Sequence, residues 1–307
     1  MIMPTYNSVL TIDRAINSLL AQSYTDWHLV IVDDASTDAT VQRINERRHG
    51  LEDRITLICA AENRGPGATR NRALAACEGK WVAVLDSDDA WHPDRLSVLL
   101  ERAALVSADA VCDNLMGYDD HVSRETGPIF SSLPAWLDIA STVAATFSGP
   151  YNLGYLKPIV RLALVSQFGL QYDEGLRTGE DLLYLLTLLI QGTRVLCIDL
   201  PLYIYTTQVG DASHRLSRST KSIPCDLQMA DHLSRFIDRY GVTLDAGQRR
   251  AIEDRMSYLR KVAPLAEFRY ARLTGHWLDA LSLAAGSSVV RARLWAVIRE
   301  KFHLHTG

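Results

Sequence analysis

The chain has 307 residues, 48% of them hydrophobic and 22% charged, with a formal net charge of −4; this is the composition of a globular protein with a large core and excludes bulk disorder. Residues 1–215 carry 17 Lys and Arg against 27 Asp and Glu, whereas residues 216–307 carry 15 against 9, so an acidic body precedes a basic tail. That balance excludes nucleic acid as a bulk electrostatic partner of the body, and no apolar run reaches the roughly 18–20 residues of a membrane span.

Met1-Ile2-Met3 reads as the stub of a first strand, with only three residues before Pro4. The N-terminus lacks the charged and apolar regions of an export signal. Five scattered cysteines without a Cys-x-x-Cys pair read as reduced core residues, so a cytoplasmic setting is expected. Thr11 is placed to cap a helix whose apolar positions are Ile12, Ala15, Ile16, Leu19 and Leu20. Leu29–Val32 follows as a strand ending at Asp33-Asp34, then a helix over Asp38–Arg48 with Ser36, Thr37 or Asp38 as its cap. Further strands are predicted at Ile55–Cys59, Trp81–Leu85 and Ala110–Cys112, with helices over Thr69–Cys77 and Pro93–Val106. This alternation predicts an α/β fold with right-handed crossovers and a mostly parallel central sheet flanked by helices.

From Gly117 to Pro158 the pattern weakens and longer loops are expected. Thr178-Gly179-Glu180-Asp181 then leads into a nearly all-apolar segment, Leu182–Ile190, which predicts an interior helix. Val195–Ile198 and Tyr203–Tyr205 are expected as two last strands, Ala212–Ser222 as a polar loop, and the chain after Pro224 as helical. The predicted boundaries are a body of 1–215, with halves 1–115 and 116–215, and a helical extension of 216–307.

The chemistry concentrates where apolar strands end in acids. Trp81-Val82-Ala83-Val84-Leu85 delivers Asp86-Ser87-Asp88-Asp89 to a strand end, where crowded carboxylates repel one another unless a cation or hydrogen bonds compensate. A divalent metal, Mg²⁺ or Mn²⁺, held by Asp88 and Asp86 against a diphosphate is the economical compensator. The competing reading is a cap for the helix near Pro93, a role that suits Asp89. In the same way Glu180 and Asp181 can complement a helix dipole, which accounts for one acid but not two beside a glycine. Gly65-Pro66-Gly67 lacks the third glycine of a dinucleotide loop, and Pro66 removes a backbone donor, so a Rossmann cofactor site is rejected.

Pro4-Thr5-Tyr6-Asn7, Val32-Asp33-Asp34-Ala35-Ser36-Thr37-Asp38, Asn63-Arg64-Gly65 with Ala68-x-Arg70-Asn71, Leu85-Asp86-Ser87-Asp88-Asp89 and Gly179-Glu180-Asp181 occur in that order. Over roughly its first two thirds the chain thereby resembles family 2 glycosyltransferases of the GT-A fold. The stretch Leu156-Lys157-Pro158, Tyr172-Asp173-Glu174 and Leu176-Arg177 is similar to bacterial exopolysaccharide transferases of the succinoglycan type. The resemblance implies a catalytic body at 1–215, its first half binding a nucleotide sugar and its second an acceptor.

It implies that Pro4, Thr5, Tyr6, Asn7, Asp33, Asp34, Arg70, Asp86, Ser87 and Arg215 bind the nucleotide or diphosphate, with an Asp33 or Asp34 carboxylate able to accept the uracil N3–H. It implies a metal on Asp88, Asp86 and His214, although a His beside an Arg on a polar loop is as readily just solvated. It makes Asp181 the base that deprotonates the acceptor, with Glu180 orienting acceptor or base, in a single displacement that inverts the anomeric carbon. The expected donor is a UDP-sugar, UDP-glucose first, and the expected acceptor a saccharide or polyprenyl-diphosphate-linked saccharide. A sugar-nucleotide nucleotidyltransferase and a non-catalytic sugar-nucleotide-binding scaffold are the rival readings. In the tail, Val290, Leu294, Val297, Ile298 and Phe302 share a helix face, with Trp295 nearby and Arg291, Arg293, Arg299 and Lys301 mostly elsewhere. Such a face suits an anionic membrane surface, packing on the catalytic body, or a second copy of the chain.

Overall fold

The computed structural model describes residues 1–144, 152–207 and 226–302, and the chain divides into two compact units, Met1–Ser217 and Arg218–Gly307. The first unit opens with β1 (Ile2–Thr5), α1 (Ile12–Leu20), β2 (Leu29–Asp33), α2 (Thr40–Arg48), β3 (Ile55–Cys59), α3 (Pro66–Ala75) and β4 (Trp81–Val82). It continues with β5 (Ala90–Trp91), α4 (Arg95–Val106), β6 (Ala110–Asp119), β7 (Arg124–Pro128), α5 (Ile139–Val143), β8 (Ile159–Arg161), α6 (Leu162–Gln167), α7 (Glu180–Ile190) and β9 (Val195–Thr207).

Strands β1, β2 and β3 pair in parallel. On the other edge of β1, Ile2 N–H donates to Ala83 O at 2.9 Å and Leu85 N–H donates to Ile2 O at 3.0 Å, so the apolar run after β4 extends the same parallel ladder. Every residue of β2 and of Val82–Leu85 is buried, as continuous apolar runs in a sheet covered on both faces require. The C-terminal ends of β1, β2 and this run therefore share one edge, which collects Thr5, Asp33 and Asp86. Beyond β4 the sheet turns mixed: β8 is antiparallel to β4 and β6, β5 to β9, and β7 to β6, while β9 runs parallel to β6. The short β6–β7 connection permits only an antiparallel pair.

Three local expectations are corrected. The segments expected as two final strands are one, β9, whose pairing with β6 slips on either side of Asn114; Asp199, Leu200 and Pro201 form the irregular stretch, where a proline lacking an N–H is tolerated. Thr11 precedes α1 but its side chain makes no cap bond; its hydroxyl instead donates to Ser8 O. Asp89 caps no helix: it is buried, accepting from the Tyr203 hydroxyl and Thr206 N–H, each at 2.8 Å. Among the cysteines, Cys112 and Cys197 lie buried with sulfurs 3.2 Å apart, but Cys59 is exposed; Cys225 lies outside the described residues.

Helix α7 is buried along nearly its whole length, each leucine contributing about 1.5–3 kcal/mol of apolar burial. Below the site, Arg95 and Asp113 form a fully buried ion pair with Nη2–Oδ1 at 2.7 Å. Arg95 also donates to the Lys157 carbonyl at 2.7 Å and lies against the rings of Trp91 and Tyr203.

The second unit holds α8 (Asp226–Tyr240), α9 (Ala246–Leu273), α10 (Trp277–Gly286) and α11 (Ser288–Phe302). Asp245 and Gln248 start α9 with a reciprocal capping box. Of the apolar face read from the tail, Val290 is fully buried and Leu294 half-buried. Large apolar side chains are instead exposed on α10, where Trp277, Leu278 and Leu281 are 61%, 83% and 65% exposed, and at Trp295 of α11. Among the described residues no helix is long and apolar enough to cross a membrane.

Candidate active site

At the shared strand edge the loops after β1 and β2 are sewn together. Asn7 N–H donates to the Ser36 hydroxyl and Asn7 Oδ1 accepts from Thr37 N–H, both at 2.8 Å. Asn7 and Ala35 hold positive φ of 49° and 59°, a left-handed conformation that Asn tolerates better than most residues. The buried Asp33 accepts from Ser36 N–H at 2.9 Å and from the Ser36 hydroxyl. Asp34, also buried, accepts from Arg64 N–H at 2.9 Å and Gly65 N–H at 2.8 Å. Both carboxylates thus spend lone pairs on loop geometry, and each keeps others. The Thr5 hydroxyl is buried with no partner, and a cleft of about 320 Å³ opens beside Asp34, lined in part by Arg64, Thr69 and Asn71.

The glycines of the Gly65-Pro66-Gly67 turn have a packing cause. Gly65 sits at φ 92° with the Arg177 side chain across it, and a Cβ on Gly67 would lie 2.4 Å from the Asp173 carbonyl oxygen. Only glycine lets α3 and the segment before α7 approach this closely. That approach brings Arg70 of α3 to the acids of α7.

Five charged groups then meet at one point. Arg70 donates to Asp86 Oδ1 at 2.7 Å and to Glu180 Oε1, and its Nη2 lies 3.9 Å from Asp181 Oδ2. Lys157 lies 2.9 Å from Asp86 Oδ2 and is bonded to Asp181 Oδ2. Arg70, Lys157 and Glu180 are buried, while Asp86 and Asp181 keep a fraction of their surface open. Burial alone would raise the Asp86 pKa, but the charges of Arg70 and Lys157 overcome it and hold the carboxyl far below the usual range. Burial pushes Glu180 up, opposed by Arg70. Lys157 and Arg70 both resist the lowering effect of burial through the charges of Asp181 and Asp86, and stay protonated.

Asp88 is exposed; partial desolvation, then the charge of Asp86, raises its pKa. Its backbone carbonyl is held by Arg14 and Thr206, and the Ser87 hydroxyl pairs with Ser8 at 2.8 Å. The Tyr203 hydroxyl accepts from Asp86 N–H at 3.2 Å while donating to Asp89.

The structure therefore gathers Asp86, Arg70, Glu180 and Asp181, with the exposed Asp88 two residues beyond Asp86 and Pro4–Asn7, Asp33 and Asp34 at the neighbouring ends of β1 and β2. Each oxygen of Asp86, expected on the metal, bears a cation, Arg70 or Lys157, and the more exposed carboxylate of the pair is Asp88. His214 and Arg215 lie outside the described residues. Among the described residues no group of three or more His, Cys, Asp or Glu is arranged around a metal position. Sequence reasoning missed Lys157 as a site residue; a lone lysine between apolar neighbours and before a proline was the available signal.

The profile described as Glycosyl transferase family 2 matches residues 1–158, and the chain belongs to that family. The succinoglycan biosynthesis protein ExoO of Rhizobium meliloti (strain 1021) is 38% identical over 228 residues, 70% of this chain and 62% of that relative's length. Among solved structures, Staphylococcus aureus TarS 1–349 in complex with UDP-GlcNAc aligns with a TM-score of 0.57 at 22% identity, covering 93% of this chain and 91% of that one. The mannosyltransferase PcManGT from Pyrobaculum calidifontis, in complex with GDP-Man and Mn²⁺, aligns with a TM-score of 0.59 at 20% identity, over 97% of this chain and 79% of that one. The body has the GT-A fold.

Proposed function

We propose that the chain is an inverting, metal-dependent glycosyltransferase that moves a sugar, glucose in our reading, from a UDP-sugar to a saccharide or polyprenyl-diphosphate-linked saccharide during exopolysaccharide or cell-surface polysaccharide synthesis. The observation that carries this reading is the meeting of Asp86, Arg70, Lys157, Glu180 and Asp181 at the sheet edge, beside the open carboxylate of Asp88. The likeness to ExoO supports the polysaccharide setting, and TarS holding UDP-GlcNAc supports a uridine donor.

In this reading the loops of Thr5, Tyr6, Asn7, Asp33 and Asp34 receive the nucleoside; the cleft beside Asp34 falls within the usual size of a small-molecule pocket. Asp88 fits a divalent ion: it is an exposed, hard oxygen ligand whose ionised form the charge of Asp86 opposes and a cation would favour. Mg²⁺ or Mn²⁺ bound there supplies charge neutralisation to the leaving diphosphate. Asp181 takes the proton of the acceptor hydroxyl, and Glu180, fixed by Arg70, shapes the acceptor side. One base and one displacement support inversion.

Calorimetric titration of UDP, UDP-glucose, GDP-mannose and a nucleoside triphosphate, with Mn²⁺ and with chelator, tests the donor class. Metal-dependent binding of UDP and one UDP-sugar is expected. In Asp88→Ala that affinity is expected to fall at least about tenfold, the worth of roughly 1.4 kcal/mol. Unchanged metal dependence removes Asp88 from the metal site; preference for the triphosphate favours nucleotidyl transfer, and no binding at all favours a scaffold.

The membrane contact read from the tail is carried, in this proposal, by the exposed Trp277, Leu278 and Leu281 of α10, with Arg291 of α11 reaching the Ala285 carbonyl at the end of that helix. An exposed apolar helix face on a unit with a net positive charge suits an anionic lipid surface. Flotation with phosphatidylglycerol vesicles, lost in Leu278→Asp with Leu281→Asp, is the expected result. No flotation, or a dimer that the same substitutions dissociate, assigns the face to a second copy instead.

A further inference from the structure

We propose that Lys157 is the positioning residue of the base: its ammonium pins one carboxylate oxygen of Asp181 against Asp86 and so fixes where the other oxygen meets the acceptor. This rests on the reading of Asp181 as the base.

The contacts of the two cations divide cleanly. Arg70 bonds Asp86 Oδ1 and Glu180, and reaches only to 3.9 Å of Asp181. Lys157 bonds the other oxygen, Asp86 Oδ2, at 2.9 Å and takes Asp181 Oδ2. Asp86 is thus a hub with a cation on each oxygen, and the shortest approaches of both Arg70 and Lys157 to Asp181 fall on Oδ2. Arg70, with one Nη on Asp86 and the other on Glu180, approaches Asp181 only to 3.9 Å, so the bridge between Asp86 and Asp181 falls to a second cation.

The ammonium is itself anchored. The Lys157 side chain is 5% exposed, and its backbone carbonyl is held at 2.7 Å by the buried Arg95. Lysine is rarely buried unless paired, and its two partners are the strand-end acid on the donor side and the helix-start acid on the acceptor side. Burying an ammonium carries a desolvation penalty that an apolar residue filling the same space avoids; what only the cation provides is a fixed carboxylate. A void of about 20 Å³, roughly the size of one water, lies beside Lys157 and Asp181, so Asp181 has room to turn once released.

The test compares Lys157→Met, Lys157→Arg and Asp181→Asn in the full chain. UDP release from UDP-glucose with Mn²⁺, water serving as acceptor, gives kcat and KM; crystal structures give the position of Asp181. In Lys157→Met, Asp181 is expected to leave Asp86, and kcat to fall about 10²-fold, the scale of a misplaced reacting group, with donor KM within threefold. Lys157→Arg, which keeps the charge, is expected to keep Asp181 beside Asp86 and so covers the case in which the methionine variant fails to fold. Combining Lys157→Met with Asp181→Asn is expected to be no slower than Asp181→Asn alone, because one acts through the other. An Asp181 that stays in place in Lys157→Met, a loss of UDP affinity parallel to the loss of turnover, or full additivity overturns the proposal. Retained turnover in Asp181→Asn overturns the base reading separately, and the position of Asp181 in the methionine variant still decides what Lys157 does.

Discussion

Asp181→Asn is expected to lower turnover by about 10²–10⁴-fold, the usual contribution of a positioned general base, while UDP affinity stays within threefold. The amide keeps the shape of the carboxylate but has no basic lone pair for the acceptor proton. It also removes one anion that Lys157 neutralises, leaving Asp86 and Glu180 to carry the two cations. Because Asp86 already contacts both, the donor side of the cluster keeps its charge balance, and binding and turnover separate. Steady-state kinetics beside calorimetry with UDP and Mn²⁺ check this. Turnover near that of the unaltered chain would move the base elsewhere, with Glu180 the nearest candidate.

Arg95→Met is expected to destabilise the body by about 3–5 kcal/mol, the range for breaking a buried ion pair from one side. Asp113 is fully buried beneath it, and burial already outweighs Arg95 in setting the direction of its pKa, which is raised. Without the guanidinium the carboxyl is expected to rise further and fold in its neutral form. A carboxyl whose pKa is higher folded than unfolded makes stability fall as pH climbs from the unfolded value to the folded one. The loss measured by denaturant unfolding is therefore expected to be smaller near pH 4 than at pH 8. Equal losses at both would mean that packing against Trp91 and Tyr203, and not charge, is what Arg95 supplies.

How much could be read from the sequence follows from how local each signal is. β2 and the run Trp81–Leu85 announce themselves because continuous apolar residues ending in acids have few other uses, and α7 because it is apolar all round. The mixed half of the sheet is not legible in this way: the pairing of β6 with β9 joins residues such as Cys112 and Cys197, far apart in the chain, and periodicity carries no partner information. Asp199-Leu200-Pro201 looks like a turn between two strands because a proline inside a strand normally breaks it; the slip in register absorbs it. Lys157 escaped for a similar reason. Its role depends on Asp86 and on Asp181, 24 residues away, and a single lysine carries no pattern until the acids converge on it. Asp89 was misread because capping is a local inference, whereas its partners Tyr203 and Thr206 arrive from the far end of the unit.

The contact of Gly67 with the Asp173 carbonyl bears on how such an enzyme could be re-engineered. It clamps α3, from the half expected to hold the nucleotide, onto the segment that leads into α7, from the half expected to hold the acceptor, and through it Arg70 belongs electrically to both. The two halves are consequently not interchangeable parts. A chimera joined near residue 115 would inherit Arg70 from one parent and Lys157, Glu180 and Asp181 from the other, and any mismatch would strand charge in the interior. A change of acceptor preference is better sought by replacing the loops around this unit than by exchanging the halves it ties together.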